Sequence, residues 1–213
     1  MLISEVRKFI YIAVPKTGST SIEAHLTSLD PTIQRNRVLR PDGTWVDVHK
    51  HASAAEIKSK MGELFEEYSV VAFIRDPVST AVSKYYHYRS GRGAQRAREW
   101  KINNRLNQLR LRVLSTLILP LPVWVRIYPY SMTHKFLMDD RQNMLIDVLG
   151  NFENLQDEFE RVFSQFGFSS SELMLPHINQ TQMSKSKHEN EILLEKIIAK
   201  KAAIDMQIFR DRF

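Results

Sequence analysis

Apolar and polar positions occur in blocks along this chain, and the blocks predict strands followed by helices. An apolar run predicts a buried strand over residues 7–14, and a helical spacing of apolar residues follows over 19–29. A second apolar run, Val70 to Ile74, predicts another strand, and a helix follows from Pro77 to Tyr88. Strands without polar alternation are typical of a parallel sheet that is covered on both faces.

The segments around these blocks are less regular. Residues 31–48 contain a turn signal and are predicted to be irregular, whereas 53–67 are predicted to form a helix. Ser53 is suited to be the N-cap of that helix, and Glu56 lies at the capping-box position. The pattern over Met144 to Leu149 predicts either a third strand or a short helix.

The last third of the chain is predicted to be mainly helical. An amphipathic helix ends at Gly167, and its apolar face is formed by Leu155, Phe159, Val162, Phe163 and Phe166. A polar loop over 169–188 precedes a last helix from Glu189 to Phe209. Strands that alternate with helices favour a single-domain α/β fold, a three-layer sandwich with a central, mainly parallel sheet flanked by helices.

Composition narrows the class of protein. The chain has 213 residues, enough for one domain with a real core, and it contains no cysteine. A disulfide framework and a thiolate metal site are therefore excluded, and the chain would tolerate a reducing cytoplasm. The first residues lack the features of a signal peptide, and no uncharged stretch reaches the length of a membrane span. We therefore expect a cytoplasmic location.

The charge balance predicts an acidic partner. The formal net charge is +6, and the predicted isoelectric point is about 9.5. A nucleotide, an anionic glycan, nucleic acid or a membrane surface could each supply the opposite charge. Much of the basic charge lies in residues 89–112, where Glu99 is the one acid among Arg89, Arg92, Arg96, Arg98, Lys101, Arg105, Arg110 and Arg112.

The turn after the first predicted strand has the features of an anion site. It leads from the strand directly into a helix, whose first-turn amides lack intrahelical partners and whose dipole favours negative charge. One lysine, one glycine and several hydroxyl groups lie in this turn, which reads Pro15, Lys16, Thr17, Gly18, Ser19, Thr20 and Ser21. We expect a phosphate to bind here.

This turn does not have the spacing of the common nucleotide-binding loop. A Walker A loop places its lysine directly after the second glycine of the motif, whereas Lys16 precedes Gly18. A kinase or GTPase of the usual kind is therefore disfavoured.

A second phosphate site is predicted at the end of the second strand. Arg75 follows that strand, and Ser83 lies on the helix that comes next. A guanidinium group and a hydroxyl group are natural phosphate ligands. Two phosphate sites on neighbouring strand–helix turns indicate a nucleotide that is phosphorylated at two separate positions.

The two loops together resemble the sulfotransferase family. The residues that carry the resemblance are Pro15–Ser21, followed by Arg75-Asp76-Pro77 and Ser83. The chain is most similar to the branch that sulfates carbohydrates, including the uronyl 2-O-sulfotransferases and their bacterial relatives. Further similarity lies in His49–Ser53, Gly150–Leu155 and Leu175–Asn179. The resemblance implies one sulfotransferase domain over 1–213 with a P-loop-like fold, and 89–135 as a variable basic and apolar insertion near the acceptor site.

The resemblance also implies the donor and the residues that bind it. The donor would be 3′-phosphoadenosine 5′-phosphosulfate, with its 5′-phosphosulfate in the first loop and its 3′-phosphate on Arg75 and Ser83. Asn179, with His177, lies in a polar loop whose counterpart often closes over the nucleotide, although an ordinary loop is an equal alternative. Many relatives carry a second arginine where this chain has Thr80, and loss of that arginine would weaken binding of the 3′-phosphate.

The chemistry expected at such a site is in-line sulfuryl transfer to a hydroxyl group. By analogy with phosphoryl transfer, Lys16 would stabilise the leaving phosphate, and no metal is needed. His51 is the first candidate for the general base and His49 the second, because residues two apart in an extended stretch point the same way. A pair of surface or core histidines, or a metal pair, is the alternative. Glu23 is a weaker candidate, since a glutamate there more often packs or makes an ion pair.

The acceptor is expected to be a carbohydrate hydroxyl, and several alternatives stay open. The enzyme could use a small alcohol, a lipid or a protein tyrosine, or the chain could be a non-catalytic module that binds a nucleotide or an anionic polymer. The basic and apolar stretch could contact a glycan, a membrane surface through 89–128, or a partner protein. A nucleic-acid binder is disfavoured because no recognised nucleic-acid motif accompanies the arginines. The oligomeric state is not determined by the sequence.

Overall fold

The structure is a computed structural model that describes residues 1–90, 114–127, 133–175 and 191–213. Contacts between residues divide it into two compact units. The described part of unit 1 comprises residues 1–75, 133–175 and 208–213, and that of unit 2 comprises 76–90, 114–127 and 191–207. The single domain over 1–213, with 89–135 as an insertion, stays a prediction.

A five-stranded sheet and a separate two-stranded sheet organise unit 1. The strands are β1 (Leu2–Ser4), β2 (Phe9–Ile12), β3 (Gln34–Arg35), β4 (Arg37–Leu39), β5 (Trp45–Asp47), β6 (Ser69–Ile74) and β7 (Val148–Asn151). The larger sheet has the order β3-β1-β2-β6-β7, and β4 pairs with β5. Strands β2, β6 and β7 are parallel, whereas β1 is antiparallel to both β2 and β3. The α/β prediction is confirmed, and the sheet is mixed.

The two strands predicted from apolar runs form the centre of this sheet. Phe9 pairs with Ser69, and Ile12 pairs with Ala72. Successive side chains of β2 point to opposite faces, and all four are fully buried. Both faces of the sheet are therefore covered, as the absence of polar alternation predicted.

Eight helices have both ends within the described residues, and residues 114–118 are helical as well. The eight are α1 (Ser19–Leu29), α2 (Ala54–Met61), α3 (Pro77–Arg89), α4 (Leu121–Ile127), α5 (His134–Leu137), α6 (Leu155–Phe163), α7 (Glu191–Lys201) and α8 (Ala203–Arg212). Shorter 3₁₀ segments span Gly62–Glu67, Phe152–Asn154 and Ser164–Phe166. None of the helices in the described ranges is long and apolar enough to cross a membrane.

Side-chain caps begin two of these helices. The Ser53 hydroxyl accepts a hydrogen bond from the Glu56 amide at 3.1 Å, which confirms the predicted N-cap of α2. The Asp76 carboxylate accepts one from the Ser79 amide at 2.7 Å at the start of α3, where Pro77 occupies the first turn. The sequence therefore sets these two helix starts locally.

Some element predictions were wrong. Residues 31–48 are not irregular, because they contain β3, β4 and β5, and strand β1 precedes the strand that was predicted to be first. The predicted helix over 53–67 is α2 followed by a 3₁₀ segment, and the last helix is interrupted at Ala202. The missed strands have two or three residues each, too few to produce a period-two pattern.

Aromatic side chains form the core of unit 1. Each ring of this group from β2, β6 and α6 lies within about 6.3 Å of at least one other, and the rings belong to Phe9, Tyr11, Phe73, Phe159 and Phe163. Strand β7 fits beside this cluster only with a glycine at position 150, since a Cβ atom on Gly150 would lie 2.5 Å from the Phe73 ring. Gly150 pairs with Phe73 in the sheet, so the absence of a side chain at position 150 lets β7 lie beside β6 there.

Unit 2 has a helical core of its own. Buried residues of α3, α4, α7 and the start of α8 form it, namely Ala81, Tyr85, Trp124, Val125, Leu194, Ile198, Ala202 and Met206. The Tyr85 hydroxyl donates to the Leu119 carbonyl at 2.8 Å, and the Tyr85 and Trp124 rings meet edge to face.

Candidate functional site

The predicted anion loop connects β2 to α1 in unit 1. Gly18 is the N-cap of α1 and has a φ of 70°, and Lys16 also has a left-handed backbone, with a φ of 73°. A lysine rarely adopts this conformation, because its Cβ atom crowds the following carbonyl. Two left-handed residues in a short loop make the chain turn sharply from the strand end into the helix.

The N-terminus of α1 is suited to an external anion. Gly18 has no side chain that could cap the first turn of α1, and no other side chain of the described residues caps it. The first turn also contains no acidic residue. The amides and the helix dipole therefore favour a negatively charged ligand.

The hydroxyl groups of this loop differ in their surroundings. The Thr17 hydroxyl is buried and donates to the Val14 carbonyl at 2.9 Å, so its proton stabilises the loop. Ser19 and Ser21 are buried, whereas Thr20 is exposed and accepts a hydrogen bond from Lys50 Nζ at 3.1 Å. The roles of Pro15 and of these hydroxyl groups in nucleotide binding stay predictions.

Lys16 and Arg75 are brought together at the ends of two parallel strands. Lys16 follows β2 and Arg75 follows β6, and these strands are neighbours in the sheet. Burial lowers the pKa of Lys16, and the positive charge of Arg75 lowers that pKa further. The two positive charges act on each other, so anionic groups bound at these cations would relieve the repulsion.

Phe152 and Glu153, which directly follow β7, contact the Arg75 guanidinium. The guanidinium carbon lies 4.5 Å from the centre of the Phe152 ring, and Arg75 Nε is 3.5 Å from Glu153 Oε1. The Arg75 side chain is only 12% exposed. Packing against a ring and pairing with a carboxylate restrict its rotamers, so the cation is positioned before any ligand binds.

The same phenylalanine also contacts the anion loop. A Cβ atom added to Gly18 would lie 3.1 Å from the Phe152 ring and 3.0 Å from Leu155. Gly18 therefore lets the loop approach the segment after β7, and Phe152 connects the loop to Arg75. The sequence marked Gly150–Leu155 as similar to the sulfotransferases but gave these residues no role, because the contacts join positions far apart in the chain.

His51 has the geometry of a general base. Its Nδ1 atom lies 2.6 Å from the Ala13 carbonyl, near the end of β2, and a carbonyl can only accept a hydrogen bond. In the neutral imidazole the proton is therefore on Nδ1, and Nε2 carries the lone pair. Burial lowers the pKa of His51, which favours this neutral form; the Ala13 hydrogen bond opposes the shift, and the charge of Lys50 adds to it.

His49 is placed differently from His51. The two ring centres are 5.8 Å apart, but the segment is a turn, closed by a hydrogen bond from the Ala52 amide to the His49 carbonyl, and not the extended stretch that was expected. His49 Nδ1 accepts a hydrogen bond from the His51 amide at 3.1 Å, so its other nitrogen carries the proton in the neutral ring. His49 thus lacks the available lone pair that His51 has.

Glu23 is the buried centre of an ion-pair network. Its carboxylate is fully buried and lies 2.5 Å from the Met1 ammonium, 3.3 Å from the Arg35 guanidinium and 3.2 Å from Lys50 Nζ. Lys50 also donates to Thr20, so it ties the His49–His51 turn to the first turn of α1. Glu23 makes ion pairs, as the sequence favoured, and it positions the turn that carries His51.

Other predicted site residues lie outside unit 1 or outside the described ranges. Ser83 is half-buried on α3 of unit 2. Thr80, where many relatives carry arginine, is buried, and its hydroxyl has no hydrogen-bond partner among the described residues. The partnership of Ser83 with Arg75 stays a prediction. Asn179 and His177 fall outside the described residues.

Among the described residues, no group of three or more histidine, aspartate or glutamate side chains could hold a metal ion. His49 and His51 are thus not joined by a third such ligand in the described ranges.

Comparison with known proteins gives a match to a family. No curated protein and no solved structure matches the chain. The Sulfotransferase family matches residues 1–116, more than half of the 213 residues, and the match includes the anion loop, His51 and Arg75. This chain therefore belongs to the sulfotransferase family, whose members are enzymes that use 3′-phosphoadenosine 5′-phosphosulfate as donor.

Proposed function

We propose that this protein transfers a sulfuryl group from 3′-phosphoadenosine 5′-phosphosulfate to a hydroxyl group of a carbohydrate. In this proposal Lys16 and the amides of the loop bind the 5′-phosphosulfate, Arg75 binds the 3′-phosphate together with Ser83, and His51 is the general base. A cytoplasmic location, expected from the sequence, belongs to the same proposal.

The observation that supports this proposal most is the pairing of two cations next to a neutral histidine. Lys16 and Arg75 act on each other at the ends of β2 and β6, and His51 is hydrogen-bonded to Ala13 in the residues that lead into the same loop. An anion site and a base that share one strand end are what sulfuryl transfer needs.

The reaction needs one proton transfer and one change of bond at sulfur. The acceptor oxygen attacks sulfur, the bond from sulfur to the 5′-phosphate oxygen breaks, and adenosine 3′,5′-bisphosphate leaves. His51 Nε2 takes the hydroxyl proton. Lys16 stabilises the charge that grows on the leaving oxygen, because an ammonium group fixed in a partly buried site is already oriented when the charge develops.

The carbohydrate acceptor has its own support. The chain resembles the carbohydrate branch most, and the arginines and Trp100 of the 89–112 stretch suit an acidic sugar chain. A small alcohol, a lipid, a protein tyrosine, or nucleotide binding without turnover are the outcomes that would replace this acceptor.

Transfer of labelled sulfate from the donor to a panel of anionic and neutral glycans, small alcohols, lipids and tyrosine peptides tests the proposal. We expect label in an anionic glycan and its loss in the His51→Ala variant. His49→Ala is the matched control, because it changes the same side chain two residues away. Label in another acceptor class would change the substrate, and label in none, with nucleotide binding intact, would leave a binding module.

A further inference from the structure

Helices α4 and α7 of unit 2 form a groove of about 340 Å³ that has no part in the sulfuryl-transfer proposal. Two apolar residues and four cations line it, namely Leu193, Ile197, Arg126, Lys196, Lys200 and Lys201. All six residues belong to unit 2 and lie in the described ranges. From this arrangement we infer a surface that binds anionic phospholipid membranes.

The spacing along α7 places these residues on one side of the helix. Positions 193, 196, 197, 200 and 201 follow the three- and four-residue steps of a single helical face. A different face of α7 carries Leu194 and Ile198, which are buried in the core of unit 2. On this second side Ile197 packs at the edge of the unit-2 core, whereas Leu193 is exposed next to the lysines.

Lys201 fixes the cations of α7 beside α4. Its ammonium group donates to the Val125 carbonyl at 3.0 Å and to the Arg126 carbonyl, so it satisfies two carbonyl groups at the end of α4. This bond brings Arg126 next to Lys196 and Lys200 around the groove. The positive cluster is therefore part of the packing of the two helices.

Large apolar side chains that line the groove or adjoin its residues in the sequence are exposed to solvent. Ile127, the last residue of α4, is 56% exposed, Ile192 is 70% exposed and Leu193 is 38% exposed. Large aliphatic side chains next to lysines and arginines are typical of surfaces that lie in the headgroup region of a bilayer.

Charge complementarity identifies the partner. Phospholipid phosphates match Arg126, Lys196 and Lys200, and acyl chains match Ile127 and Ile192. A soluble acidic polymer would satisfy the cations but leave the isoleucines in water. A second copy of the same face would bring like charges together across the interface, which disfavours self-association through it.

Co-sedimentation of the full chain with vesicles tests this inference. We expect binding to vesicles that contain phosphatidylglycerol and none to phosphatidylcholine vesicles. Each cation near an anionic membrane contributes about 5-fold to partitioning, so Lys196→Gln with Lys200→Gln should weaken binding roughly 25-fold. The matched control is Lys60→Gln with Lys135→Gln, which removes the same charge from unit 1 and should leave binding unchanged.

A second pair of variants separates lipid from soluble polyanions. Ile192→Ser should weaken vesicle binding and leave heparin binding unchanged, whereas Val6→Ser, at an exposed position of unit 1, should affect neither. Equal binding of the lysine variant and the wild type to anionic vesicles would overturn the inference, and so would equal vesicle binding by Ile192→Ser. The melting temperature of every variant, measured without vesicles, should rise on addition of adenosine 3′,5′-bisphosphate, which shows that the fold is intact.

Discussion

The anion loop of unit 1 and the groove of unit 2 both gather cations, but they hold them in different ways. Lys16 and Arg75 are partly buried, and Arg75 is oriented by a ring and a carboxylate. The groove cations Lys196 and Lys200 belong to a helix face on which Leu193 is also exposed, and the neighbouring Ile192 is exposed as well. Cations in fixed positions suit one ligand of defined shape, whereas cations on an apolar face suit an extended surface.

The largest effect should come from the base beside the anion loop. Replacing His51 with alanine is expected to lower kcat by about 100- to 10,000-fold, because the acceptor hydroxyl then loses its proton acceptor. Nucleotide affinity should stay close to that of the wild type. Initial rates and calorimetric titration with adenosine 3′,5′-bisphosphate measure the two quantities.

His49→Ala is the control for this loss, since His49 Nδ1 already accepts the His51 amide proton. The wild-type kcat/KM should rise with pH as His51 of the free protein loses its proton, with a midpoint below the usual histidine pKa of about 6.5, because burial lowers the pKa of His51. A larger loss in His49→Ala than in His51→Ala would exchange the roles of the two residues.

Replacing one lysine in the anion loop and one in the groove tests most directly whether the two regions differ in function. Lys16→Ala should reduce transfer by about 100- to 1000-fold, as removal of one preorganised donor does. Lys196→Ala removes the same charge from the groove and should leave transfer to a water-soluble acceptor unchanged. Comparable losses in both variants would mean that the two clusters serve one site.

The ring beneath Arg75 should have a smaller effect than either of these residues. Phe152→Leu is expected to weaken adenosine 3′,5′-bisphosphate binding by about 2- to 30-fold, the range of one cation–π contact. Phe168→Leu is the matched control, because Phe168 lies 3.8 Å from the Arg7 guanidinium in the same unit. Titration calorimetry measures both, and equal affinity in Phe152→Leu and the wild type would remove Phe152 from the site.

The smallest expected effect is a pH dependence of nucleotide binding. The pKa of Lys16 is lowered in the free protein, and a bound anion should raise it, so binding takes up protons. Affinity should therefore be highest below the free-protein pKa and should fall as the pH rises through it. Lys16→Arg, which keeps its charge, should show a flatter profile, and an equally steep one would assign the effect to another group.

Local sequence signals predicted the parts of the site that depend on neighbouring residues. The apolar run, the turn and the helix start located Lys16 and Gly18, and Arg75 was located by the strand that ends before it. The bond from His51 to Ala13 and the pairing of Lys50 with Glu23 depend on how distant segments pack, so no local pattern contains them. The same reason explains why the contact of Phe152 with Gly18 and Arg75 was missed.

The left-handed backbone of Lys16 has a consequence for selection experiments. A side chain in this conformation costs roughly 1 kcal/mol or more, and glycine would remove that strain. Glycine would also remove the ammonium group that the proposed mechanism uses, so a library selected only for heat resistance could retain Lys16→Gly and lose turnover. In that mechanism stability and activity are opposed at this single position, and screens for more stable variants should therefore select for both together.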